Sequence, residues 1–186
     1  MTMTTLNEWF EKGITPEEYI AQMQTHKENL EHVLKTFTLP EEESFFDALS
    51  SKKLRAIAIT EDWCGDAMMN VPVLIKLAEK TGMEVRMLLR DSNLELMDQY
   101  LTNGTARSIP IFIFIDEDGQ EVAKWGPRAA KVQAFVDETR ASLPAKEDPA
   151  FEGSQRLVFT KMVAAFKERE DFWMAVYEEL KNTLDK

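Results

Sequence analysis

Seven consecutive apolar residues, Ile109-Pro-Ile-Phe-Ile-Phe-Ile115, constrain this chain more than any other stretch. β-Branched and aromatic side chains mark a strand, and the absence of alternation marks one covered on both faces. Such a strand requires a sheet with layers above and below it. The run also falls far short of the roughly 20 residues of a membrane-spanning helix. Two other runs of strand length precede it, Leu54-Arg-Ala-Ile-Ala-Ile-Thr60 and Glu84-Val-Arg-Met-Leu-Leu89. Asp116-Glu-Asp-Gly119 then signals a turn, and Glu121-Val-Ala-Lys-Trp125 returns antiparallel as a hairpin partner. Helices are predicted at 65–80, at 93–102 (ended by Asn103-Gly104) and at 128–142, before Pro144. The order β, α, β, α, β, β, α predicts an α/β fold with a mixed four-stranded sheet and helices on both faces.

Helical extensions are expected on either side, giving zones 1–51, 52–143 and 144–186. Thr15-Pro16-Glu17-Glu18 supplies an N-cap, a proline at N1 and a glutamate at N3. Ile20, Met23, Leu30, Leu34 and Phe37 then recur at helical spacing as one apolar face. Pro40 is expected to open a short acidic helix through Glu41, Glu42 and Glu43 that buries Phe45, Phe46 and Leu49. A polar connector between Pro144 and Pro149 leads to a stripe from Phe159 to Leu184, read as a C-terminal helix packed on the domain. Trp9, Phe10, Trp173 and Tyr177 are the candidate aromatic seam by which the two terminal zones dock.

Composition narrows the function classes. With 22 Lys+Arg against 33 Asp+Glu, the net charge of −11 disfavours a nucleic-acid binder, which needs a basic surface. One cysteine cannot form an intrachain disulfide, and with two histidines it cannot furnish a Cys/His zinc site, so no metal is expected. The opening MTMTTLNEWFEKG lacks a basic stretch followed by an apolar one, so no secretory signal is read. The expectation is a cytoplasmic protein with no membrane or nucleic-acid partner; oligomeric state is not legible.

The chemistry centres on Thr60-Glu61-Asp62-Trp63-Cys64-Gly65-Asp66-Ala67, directly after a predicted strand and opening a predicted helix. A cysteine there faces the free amides of the first helical turn. These favour thiolate over thiol and are expected to bring its pKa below the free value of about 8.5. Cys64 is thus a candidate nucleophile, against the alternative of an inert buried side chain. Gly65 would let a partner's backbone approach the sulfur. Asp66 can act either way, by accepting a helix-start amide or by opposing thiolate with its charge. His26 and His32 read as solvated surface, Met68 and Met69 as core, and Asp91, Glu95 and Asp98 as a solvated face. Arg107 is open between an acidic substrate group and a surface ion pair.

Trp63-Cys64-Gly65-Asp66-Ala67 resembles the Trp-Cys-Gly-Pro-Cys active site of the thioredoxin superfamily. Pro72 stands where that family carries its helix-kinking proline. Arg107-Ser108-Ile109-Pro110 resembles the loop ending in its cis-proline, and Gly126 matches the glycine after its last strand. The resemblance spans about half the chain and leaves both terminal zones without counterpart. Ala67 replaces the resolving cysteine, and Ala58 replaces the buried carboxylate that serves the resolving step. A dithiol cycle is therefore chemically impossible.

What the resemblance implies is one-cysteine chemistry, in which Cys64 attacks mixed disulfides of protein thiols and a low-molecular-weight thiol acts as co-substrate and frees it. Ile109 would pair its backbone with the substrate, Pro110, if cis, would hold the loop against the sulfur, and Trp63 would supply an apolar wall. The alternative is a thioredoxin-fold protein-binding module without turnover.

Overall fold

A computed structural model describes residues 2–186. Strands β1 (Arg55–Thr60), β2 (Glu84–Leu89), β3 (Ile111–Ile115) and β4 (Glu121–Trp125) form one mixed sheet in the order β2-β1-β3-β4. β1 pairs parallel with β2, Ile57 opposite Arg86, and antiparallel with β3, Ile57 opposite Ile113. β3 pairs antiparallel with β4, with a register shift at Phe114/Ile115. Every residue of β3 is buried, so this strand lies between covering layers. Ile109 and Pro110 precede β3 as loop, not strand.

Helix α5 (Gly65–Thr81) connects β1 to β2. Asp66 lies in its first turn and Lys80 in its last, each suited to the helix dipole. Gly82, at φ 73°, ends it in the left-handed conformation that glycine tolerates. Helix α7 (Ala130–Arg140) follows β4.

Four helices precede the sheet: α1 (Leu6–Lys12), α2 (Pro16–Gln22), α3 (Lys27–Thr36) and α4 (Glu43–Ser51). The apolar face expected across Ile20 to Phe37 is thus divided between α2 and α3. The cause is a contact distant in sequence, since Asp62 Oδ2 accepts the backbone amides of Gln24 at 2.7 Å and Thr25 at 3.3 Å. Those amides are then not available to a continuous helical ladder. The acidic helix starts later than expected, at Glu43, leaving Pro40 outside it.

The helix expected over 93–102 is reduced to the short α6 (Leu94–Met97), which a 3₁₀ turn at Arg90–Ser92 precedes. Asn93 Nδ2 donates to the Leu89 carbonyl at 2.7 Å, and beyond Tyr100 the chain turns through a Thr102–Ala106 bridge. Asn103 and Gly104, both with positive φ, make that reversal.

The C-terminal stripe is two helices, α8 (Phe151–Glu168) and α9 (Glu170–Leu184), separated at Arg169 with φ −86° and ψ 101°. Trp173 Nε1 donates to the Phe166 carbonyl at 2.8 Å across the break. The seam between terminal zones exists but uses different partners from those expected. Trp173 meets His32 and Phe37 edge-on, and Tyr177 meets Phe45 and Phe46. Trp9 and Phe10 belong to α1 against β1 and β2, with the Arg55 and Arg86 guanidinium groups over the Phe10 ring. One hydrophobic cluster draws buried side chains from all three zones. Among the described residues, no helix is long and apolar enough to cross a membrane.

Candidate functional site

Cys64 is the N-cap of α5. Its Sγ accepts the Ala67 amide at 3.4 Å and donates to the Ile109 carbonyl at 3.5 Å. The end of β1, the start of α5 and the 109–110 loop therefore meet at one sulfur. The Ile109–Pro110 peptide bond is cis, as is Gly126–Pro127. The two proline loops are in contact, since a Cβ at Gly126 would lie 2.2 Å from the Pro110 carbonyl oxygen, at a φ of +131°. No side chain fits there. A depression of about 290 Å³ lined by Tyr100, Ile111, Lys124, Trp125 and Gly126 opens beside that contact.

Cys64 is 8% exposed, whereas neighbouring Trp63 is 45% exposed. The Arg90 guanidinium covers the Trp63 ring at 4.8 Å from its centroid, and Arg90 Nη1 also holds the Arg107 carbonyl at 3.0 Å. Arg107 makes a bidentate pair with Asp98 at 2.7 and 3.0 Å, so its charge is already engaged.

The acidity expected of Cys64 is reversed. Burial first, and the Asp66 charge second, push its thiol up to about 11. The Ala67 and Asp66 amides and the Arg128 guanidinium act the other way without overcoming them. The helix-start effect is real but smaller than desolvation. The Asp66 carboxylate is bonded to Arg128, and its charge raises the Cys64 pKa more than its backbone amide lowers it.

Gly65 also differs from expectation. A Cβ there would lie 3.7 Å from Phe166 Cδ2 and 3.8 Å from Val163 Cγ2, so α8 occupies the side at which a partner's backbone was expected. Met68 and Met69 are fully buried, as is Ala58, so that strand position carries no carboxylate. His32 is exposed and 3.8 Å from Glu168. His26 is partly buried and takes φ 61° as the N-cap of α3; burial lowers its pKa. Among the described residues, no group of three His, Cys, Asp or Glu side chains is placed to hold a metal ion.

Three contributors were not read from the sequence. Arg128 pairs with Asp66 in bidentate fashion at 2.7 and 2.9 Å. Asn70 Nδ2 holds the Pro127 carbonyl at 2.8 Å. Tyr19 bonds Thr60 Oγ1 at 3.0 Å in a buried setting that pushes its hydroxyl well above the usual range, with the Cys64 charge among the causes. Asn70 lies four residues beyond Asp66, on the same helix face, and nothing local marks Arg128 as the partner of Asp66. Nothing local marks Tyr19.

A family model described as Thioredoxin matches residues 13–141. Among solved structures, a protein of unknown function from Pseudomonas aeruginosa is similar at 16% identity. It aligns over 96% of this chain and 99% of its own, with a TM-score of 0.62. An HIV epitope-scaffold is similar at 13% identity over 97% of this chain and 98% of its own, with a TM-score of 0.63. Among curated proteins, none matches. At these identities the structural likeness speaks to fold alone.

Proposed function

The chain belongs to the thioredoxin family, and on that premise we propose that Cys64 performs single-thiol exchange with mixed disulfides formed between protein thiols and a low-molecular-weight thiol. The observation that carries this reading is the placement of one sulfur at the N-cap of α5, bonded to the Ile109 carbonyl of the Pro110 loop and flanked by exposed Trp63.

The steps balance without an added oxidant. The Cys64 thiol loses its proton to solvent, and the thiolate attacks one sulfur of the mixed disulfide. One S–S bond forms at Cys64 as the substrate's own S–S bond breaks, and the displaced thiolate takes up a proton. A small-thiol anion then attacks the Cys64 disulfide, leaving a small-thiol disulfide and regenerating Cys64. Since Ala67 offers no resolving sulfur, the second half needs an external thiol. A reducing cytoplasm would supply it.

The raised thiol pKa shapes the kinetics. Little thiolate exists at neutral pH, and a sulfur of high pKa is a poor leaving group. Exchange is therefore slow, and a disulfide formed at Cys64 is long-lived. The burial of Cys64 also favours a second reading, a protein-binding module that keeps the groove without turnover. A peptide carrying a glutathione mixed disulfide, mixed with excess glutathione, separates the two. Faster release of peptide thiol with the wild type than with Cys64→Ser, rising toward alkaline pH, supports exchange. Equal release with both leaves the binding module.

A further inference from the structure

Arg128 ties together three parts of the site. Its Nε and Nη2 donate to Asp66, and its Nη1 donates to Gln133 Oε1 at 3.1 Å. The pair is nearly withdrawn from solvent, with side chains 15% and 13% exposed. Charges in such a setting act on their neighbours with little screening. Alongside, Asn70 anchors Pro127, Gly126 abuts Pro110, and Ile109 receives the Cys64 thiol. The start of α5, the 126–128 loop and the 109–110 loop thus close a ring around one sulfur.

We propose that Arg128 is a positioning residue for thiol chemistry at Cys64. It acts through Asp66 as a charge, offsetting the negative charge that this carboxylate presents to the sulfur, and not as a mechanical clamp on the 126–128 loop. The proposal deepens the single-thiol reading, on which it rests for the identity of the reacting atom. Of the other charged groups, Arg140 of α7 acts on Asp66, while the Tyr19 hydroxyl of α2 is coupled to Cys64 itself. Burial pushes the Asp66 carboxyl up and the Arg128 guanidinium pulls it back.

A mechanical clamp and a charge pair have opposite signatures. Removing either half of a clamp loosens the same loop, so both single variants shift thiol reactivity in one direction. Removing halves of a charge pair shifts it in opposite directions. Because Cys64 is the chain's one cysteine, iodoacetamide labelling of the intact protein against pH reports this sulfur without interference. Asp66→Asn leaves the guanidinium facing the sulfur, and labelling near neutral pH should rise about tenfold as the titration midpoint falls. Arg128→Met should slow labelling and raise the midpoint, and Arg128→Lys should stay nearer to wild type.

If Arg128→Met does not fold, Asp66→Asn against the Asp66→Asn/Arg128→Met double variant gives the same comparison, and the second change must raise the midpoint. Shifts in one direction, or none, overturn the proposal even where exchange is active. Opposite shifts support it even where exchange fails, in which case the functional reading falls alone.

Discussion

The start of α5 and the aromatic seam along α9 are built from opposite materials. The seam is apolar, with its polar atoms matched. Trp173 Nε1 reaches the Phe166 carbonyl, while the Tyr177 hydroxyl and Lys181 both reach Glu42. The site gathers a protonated thiol, a desolvated ion pair and the buried Asn70 Oδ1, which has no hydrogen-bond partner. Burying such groups costs free energy that an all-apolar packing would not. The contrast teaches that the terminal helices supply stability, which lets the start of α5 carry buried polar and charged groups that cost it.

The hardest test of that division is Trp173→Ala. It deletes a fully buried indole and strands the Phe166 carbonyl, so denaturant unfolding should show a loss of about 3–5 kcal/mol. Cys64→Ser should cost far less while ending all thiol labelling. A Trp173→Ala protein close to wild type in stability would break the comparison, because the seam would then be decoration on a self-sufficient sheet.

Alkaline pH sharpens the same contrast. A group that holds its proton longer when folded contributes stability that is full below its unfolded pKa. That contribution is lost as pH rises through the folded value. For Cys64 the window runs from 9.0 to about 11, and the loss there is about 2–3 kcal/mol. The stability gap between wild type and Cys64→Ala, followed by thermal unfolding, should therefore move against the wild type across this window. Raised pKa values at Tyr100 and Tyr177 occur in both proteins and drop out, and Tyr19, raised chiefly by burial and only in lesser part by the Cys64 charge, changes little between them. A gap that does not change with pH would mean the thiol is well solvated.

What could be read in the sequence followed how local its cause was. The strands were legible because β-branched runs bounded by turn residues state their own conformation, and Ile111–Ile115 had no other use. The Cys64 position was legible because strand and helix patterns converge on it. Its acidity was misread because the helix amides are neighbours in sequence, whereas the larger cause, burial, comes from packing against distant segments such as Ile109, 45 residues away. The break between α2 and α3 was hidden for the same reason, since Asp62, which captures the amides, lies 38 residues from Gln24. The short α6 was missed because periodicity continues past a point where Asn93 and the 102–106 turn redirect the backbone.

The smallest expected effect bears on which side of the sulfur a partner can use. Gly126 and Gly65 both border the site, and only the first lacks room for a side chain. At Gly126 a methyl group would enter the Pro110 carbonyl, whereas at Gly65 it would find Phe166 and Val163 at ordinary contact distance. Gly65→Ala should therefore preserve or raise stability, by up to about 1 kcal/mol, through helix propensity. Its effect on exchange tests the geometry more directly. With α8 covering that side, neither iodoacetamide labelling nor release of a peptide thiol should slow. If peptide release slows while small-reagent labelling does not, the partner's backbone approaches over Gly65, and α8 must move aside for it to do so.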